Sequence, residues 1–113
     1  MKSPHASDYL ISLPEVGEFR FSQETYADRI AIRAHYLGLV KDHKDTDTYL
    51  STYAGLIAEF QQLCISCPPE WQNLAAQVIT DERETQLFEL VRQLRQLQQS
   101  FRNSAAQGGQ AQG

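Results

Sequence analysis

The chain has 113 residues, 42% hydrophobic and 21% charged, which is one domain's worth of sequence. A chain of that length buries roughly 65% of its unfolded surface, enough for a single modest core. Ten Lys and Arg against fourteen Asp and Glu leave a net charge of -4, the opposite sign from a basic nucleic-acid binder. No stretch approaches the roughly 18 apolar residues of a membrane helix, and MKSPHASDYL lacks the apolar core of a secretory signal. Two cysteines are too few for a disulfide framework. The expectation is a small, acidic, soluble, intracellular domain with no membrane or nucleic-acid role.

All four prolines stand at Pro4, Pro14, Pro68 and Pro69. The stretches between Pro14 and Pro68 and beyond Pro69 are therefore open to long helices, since an interior proline costs about 3 kcal/mol. Residues 1–24 read as an N-terminal arm. Residues 1–8 look frayed. Glu18-Phe19-Arg20-Phe21 alternates polar and apolar after Gly17, a hairpin signal broken by Pro14, and an extended arm fits equally well.

The first helix is predicted from near Thr25, a capping residue with Asp28 three positions on. Ala27, Ile30, Ala34 and Leu37 share one face, and Ile32, Tyr36, Leu39 and Val40 widen it. Gly38 is a weak point, and the helix should end near Asp42. After a polar break at 43–47, a second helix is predicted from about Thr48 to Ser66. Leu50, Tyr53, Ile57, Phe60 and Cys64 form one stripe on it, with Tyr49, Leu56 and Leu63 beside it. A helix so widely apolar is the central one of a bundle. Pro68 and Pro69 end it.

Residues 70–80 are predicted as a helical turn or a short fourth helix with Trp71, Leu74 and Val78 on one face. The last helix is the clearest. Asp81 caps it, Glu84 follows three residues later, and Leu87, Val91, Leu94, Leu97 or Gln98, and Phe101 continue the stripe, with Leu90 alongside. The tail from residue 104 to 113 offers no large side chain and reads as flexible and disordered. The predicted fold is all-α: one domain over 1–103, a small bundle of three main helices with an extended or β-hairpin arm.

Acidity is concentrated in the middle: residues 44–80 hold one basic and four acidic side chains. Cys64-Ile65-Ser66-Cys67 has the C-x-x-C spacing, but catalytic pairs sit at a helix N-terminus, where the dipole lowers the thiol pKa. Here the pair closes a helix, and a structural zinc site needs four ligands. Packing cysteines are the better reading, ahead of metal or redox roles. Asp42, Asp45 and Asp47 lack the glycine and distal glutamate of a calcium loop and read as a solvated cap. His43 beside them has no nucleophile or oxyanion donor at a recognisable spacing. Arg29 with Arg33 and Arg92 with Arg95 read as salt-bridged, solvated faces rather than a phosphate surface. No catalytic residue, cofactor or metal is expected.

The order of features resembles one known family. It runs E-F-R-F, then T-Y-A-D-R-I-A-I-R-A-H-Y-L, then a helix rich in Tyr49, Tyr53, Ala54 and Ala58. C-P-P-E-W comes next, with its Pro69-Glu70-Trp71, then an acidic cap and an amphipathic helix ending Ser100-Phe101-Arg102. Over about residues 18–102 this resembles the tail assembly chaperones of long-tailed bacteriophages and prophages. The resemblance implies a non-enzymatic, largely helical protein of the bacterial host cytoplasm. Such a protein binds the tape measure protein, keeps it soluble during tail assembly and self-associates. It also implies a frameshifted longer form that recruits the tail tube protein. Phe19, Phe21, Trp71, Leu94, Leu97 and Phe101 are the expected partner-binding residues. The alternative is another small helical adaptor or secretion-type chaperone.

Overall fold

The computed structural model describes the backbone of residues 3–43 and 47–112 and the side chains of these as far as Ser104. Strands β1 (Tyr9–Leu13) and β2 (Gly17–Phe21) form an antiparallel hairpin with Tyr9 opposite Phe21 and Leu13 opposite Gly17. The Val16 N–H donates to the Leu13 carbonyl at 3.1 Å. Pro14 pre-sets the first turn position, and Glu15 at φ 66 takes the left-handed second position of a type II turn. Strand alternation places Ile11, Leu13, Phe19 and Phe21 on one face, all buried, and leaves Leu10 exposed on the other. The hairpin is thus one wall of the core rather than a loose arm. Arg20 also pins the segment expected to fray: its Nη1 donates to Asp8 Oδ2 at 3.0 Å and to the His5 carbonyl at 3.3 Å.

A third strand, β3 (Cys64–Ser66), pairs antiparallel with β2, giving a sheet of order β1-β2-β3 with an irregularity between Arg20 and Phe21. The fold is therefore mixed α and β, a correction to the all-α expectation. The reason is local. Cys64 turns extended (φ -72, ψ 122), Pro68 forbids the helix from running on, and the free edge of β2 satisfies the backbone groups released. The Ser22 N–H donating to the Leu63 carbonyl at 2.8 Å closes the junction.

Helix α1 (Tyr26–Val40) begins in a capping box. The Asp28 N–H donates to Thr25 Oγ1 at 3.1 Å, and the Thr25 N–H donates to Asp28 Oδ2 at 2.9 Å. Helix α2 (Thr48–Leu63) is capped by Asp47, whose Oδ1 accepts the Leu50 N–H at 2.8 Å; it ends three residues before the predicted Ser66. Helix α3 (Asp81–Gln112) is capped by Thr80 rather than Asp81: the Arg83 N–H donates to Thr80 Oγ1 at 3.0 Å. Asp81, Glu82 and Glu84 then occupy its first turn, where the dipole favours them. The helix continues through the segment expected to be disordered, because Ala105, Ala106 and Gln107 are good helix formers and no proline interrupts the ladder. In place of a fourth helix, residues 69–76 make two single 3₁₀ turns, Pro69–Trp71 and Leu74–Ala76. They bury Trp71 and Leu74, whereas Val78 points outward, 79% exposed.

The core lies between the inner sheet face, Phe60 and Leu63 of α2, and Leu87, Leu90 and Leu94 of α3, with Trp71 as the plug. Phe19 meets Trp71 edge-on at 5.3 Å, and Phe21 meets Phe60 at 5.5 Å. Helix α1 stands outside that core and packs on α2. Ala54 and Ala58 are buried on the α2 face that also carries Gln62, and their small side chains let α1 come close. No helix among the described residues is long and apolar enough to cross a membrane.

Candidate partner-binding surfaces

Of the six expected partner-binding residues, four are core. Phe19, Phe21 and Trp71 are each 1% exposed, and Leu94 is 5% exposed. Leu97 packs half-buried against the same cluster, and Phe101 alone lies on the surface. Aromatic residues outside the helices look surplus only while the hairpin is taken for an arm. Once β1 and β2 fold over α2 and α3, those rings are what fills the middle.

Two larger groups of exposed apolar residues lie elsewhere. The first is the outer face of α1. Ala27, Ile30, Ala34 and Leu37, the most regular stripe in the sequence, face away from α2, with Ile30 71% exposed and Tyr26 87% exposed beside them. What packs inward is the other side of the helix: Asp28, Ile32, Tyr36 and Val40. Helical period identifies a stripe but cannot say which of two apolar stripes is covered.

The second place is the shared start of α2 and α3. Tyr49 and Tyr53 rings lie 4.8 Å apart, and Tyr53 meets Phe88 edge-on at 6.3 Å. Tyr49 and Phe88 are exposed, as are Val78 and Ile79 just ahead of α3. Tyr53 is held in place by Glu84, to whose Oε2 its hydroxyl donates at 2.5 Å. That hydrogen bond to a carboxylate pushes the phenol up to about 12. The rim is anionic, with Asp47, Asp81 and Glu82 all exposed. Tyr49 and Tyr53, one turn apart, were the available signal, but a central-helix reading absorbs them into the core.

The polar candidates are structurally occupied. Arg29 Nε donates to Glu24 Oε2 at 2.9 Å. Arg95 forms a two-pronged pair with Glu59 at 2.5 and 2.6 Å, and Arg92 pairs with Glu89. The Arg29–Glu24 and Arg95–Glu59 pairs line the open groove of about 530 Å³ between α1 and α2, which Arg33 also lines. Arg33 lies over its own Tyr36 ring at 5.1 Å. Cys64 and Cys67 are free and half-buried beside a cleft of about 650 Å³. Burial, reinforced by Cys67, pushes the Cys64 thiol up to about 12, and burial raises Cys67 too. A thiol so shifted is a poor nucleophile or metal ligand at neutral pH. Asp42 and His43 are exposed at the end of α1, and Asp45 lies outside the described residues. Among the described residues, no three His, Cys, Asp or Glu side chains gather in a metal-holding group. A scan against protein-family models matches none, and searches of curated proteins and of solved structures return no similar chain.

Proposed function

We infer that this chain is a bacteriophage tail assembly chaperone. On this reading it binds amphipathic helices of the tape measure protein and keeps them soluble in the host cytoplasm until the tail tube forms. The observation that carries the reading is the aromatic surface at the start of α2 and α3. Tyr53 contacts the rings of both Tyr49 and Phe88 on a folded domain, and Val78 and Ile79, just ahead of α3, are exposed. Exposed apolar patches on small soluble domains mark partner surfaces. Tyr and Phe supply large contact area at low entropic cost. An amphipathic helix laid across them would bury its apolar face, and the anionic rim would favour one flanked by Lys or Arg.

The motifs that carry the family resemblance support the scaffold of this reading rather than its binding face. Phe19 and Phe21 of E-F-R-F and Trp71 of P-E-W hold the hairpin to the helices. Recruitment of the tail tube protein belongs, on the same reading, to a frameshifted longer form.

Co-expression tests the proposal. The tape measure protein that this reading expects to be encoded beside this chain is produced alone, with the wild-type chain, and with a Tyr49→Ser/Phe88→Ser variant. The wild type should move the tape measure protein into the soluble fraction, and the variant should not, while keeping its helical circular dichroism. A tape measure protein equally insoluble with and without the wild-type chain overturns the reading.

A further inference from the structure

On a chain of net charge -4, four of the ten basic side chains gather in one place. The groove of about 530 Å³ between α1 and α2 meets a second depression of about 420 Å³ against α3. Glu24, Arg29, Ile32, Glu59 and Arg95 line both, so the two are continuous. Arg33 lines only the first and Arg102 only the second. Four arginines therefore stand against two glutamates along one groove.

The middle of the groove is balanced, because Arg29 pairs with Glu24 and Arg95 with Glu59. The hydrogen bond to Glu59 first, and the charge of Glu24 after it, raise the Arg95 pKa, so the four side chains act as one network. The ends are not balanced. Among the described residues, neither Arg33 nor Arg102 pairs with a carboxylate, and both are exposed. Half-buried Ile32, Tyr36 and Leu56 give the first depression its apolar lining. Gly55 lies in the same wall. Glycine is a poor helix former, and a Cβ there would meet nothing within 4 Å, so packing within the chain does not demand it. Its missing side chain leaves open space in the groove.

We propose that this groove docks an acidic amphipathic helix of a partner protein, with its apolar face on Ile32, Tyr36 and Leu56 and its carboxylates at Arg33 and Arg102. Charge complementarity selects that occupant. Carboxylates can take both end guanidinium groups without breaking either central pair, and the arginine fork matches their geometry. The apolar lining rewards an apolar stripe. A nucleic acid fits less well. Glu24 and Glu59 would face its phosphates, and Tyr36, the one aromatic ring among the lining residues, already lies under Arg33. A basic helix is repelled at both ends. This surface and the anionic-rimmed aromatic patch therefore take partners of opposite charge, and the inference does not rest on the chaperone reading.

Fluorescence anisotropy tests it with a stapled helical peptide of about 12 residues, roughly 18 Å long, bearing Leu on one face and Glu on the rest. At about 50 mM salt, where screening is modest, the peptide should bind the wild-type chain saturably. Replacing every Glu of the peptide by Gln should weaken binding by at least about tenfold, as should Arg33→Glu/Arg102→Glu or Gly55→Leu in the chain. Gly55→Leu should keep or raise the thermal unfolding midpoint, so lost binding there is not lost folding. Tyr49→Ser/Phe88→Ser should bind the peptide as the wild type does, which separates this groove from the aromatic patch. No saturable binding, equal binding of the Gln peptide, or binding indifferent to both groove variants would each overturn the proposal. Loss of binding in Tyr49→Ser/Phe88→Ser would do the same. Displacement of the peptide by single-stranded oligothymidylate would also overturn it and assign the groove to nucleic acid.

Discussion

Gln62 of α2 reaches Asp28 of α1 across 34 residues of sequence, its Nε2 donating to Asp28 Oδ1 at 2.9 Å. The other oxygen of the same carboxylate accepts the Thr25 N–H in the capping box. One buried side chain thus starts α1 and fastens it to α2. The fastening matters because α1 adds little to the main core. Its removal should be costly: Asp28→Ala should lower the unfolding free energy by about 2–3 kcal/mol, from a lost cap of ~1 and stranded donors of ~1–2. Asp28→Asn keeps a carbonyl acceptor and should lose about half as much. Urea unfolding followed by circular dichroism reads both, with the slope against urea unchanged if α1 still folds with the rest.

Much of this architecture is legible in the residues, and the failures have physical causes. Thr25 with Asp28, and the alternation of Glu18-Phe19-Arg20-Phe21, are local signals and appear where they point. Strand β3 is not local. Cys64-Ile65-Ser66 continues the apolar stripe of α2, and only β2, more than 40 residues earlier, makes it a strand. The partner surface misleads for the same reason. Phe19 and Phe21 lie on one short strand and Trp71 in a single 3₁₀ turn some 50 residues later, and no periodicity shows that they converge on Phe60. On α1 the pattern itself is complete, but two apolar stripes compete, and the more regular one faces outward.

The hairpin turn should respond oppositely at two neighbouring positions. Glu15 holds a left-handed φ of 66, which costs a non-glycine residue about 1–2 kcal/mol. Glu15→Gly removes that strain and returns part of the gain as unfolded-state entropy, so a net stabilisation of about 0.5–1 kcal/mol is expected. Gly17 holds φ 135, and a Cβ there would stand 3.0 Å from Pro68 Cγ. Gly17→Ala should destabilise by about 2 kcal/mol or more, because the conformation is open to glycine alone and Pro68 is rigid. Thermal unfolding midpoints of the two variants should move in opposite directions from the wild type.

Tyr53 and Glu84 give the aromatic patch a titration signature. The hydrogen bond to the Glu84 carboxylate holds the phenol up at about 12 against an ordinary value of 10. A pKa raised in the fold means that the folded state keeps its proton longer than the unfolded one. The stabilisation is complete below pH 10 and is lost as pH rises from 10 through 12. Absorbance titration near 295 nm should show a late phenol that moves back toward 10 in Glu84→Gln. Tyr9, which burial also raises, should stay where it is in that variant. A late step unchanged by Glu84→Gln would mean that the carboxylate is not its cause.

The two cysteines should behave as packed thiols. Burial first, and Cys67 second, hold Cys64 up at about 12, and burial raises Cys67. Alkylation proceeds through the thiolate, so iodoacetamide at pH 8 should label the folded chain at least about tenfold more slowly than a free thiol of pKa about 8.5. In urea both sites should label at the ordinary rate. The sign of the linkage follows the tyrosine case. Cys64 contributes stability below the unfolded pKa of about 8.5, and that stability fades as pH climbs toward 12. Cys64→Ser/Cys67→Ser should therefore keep the helical content while flattening the alkaline loss. Labelling of the native chain as fast as in urea would instead identify an activated thiol, and with it a chemistry that the packing of Cys64 against β2 does not provide.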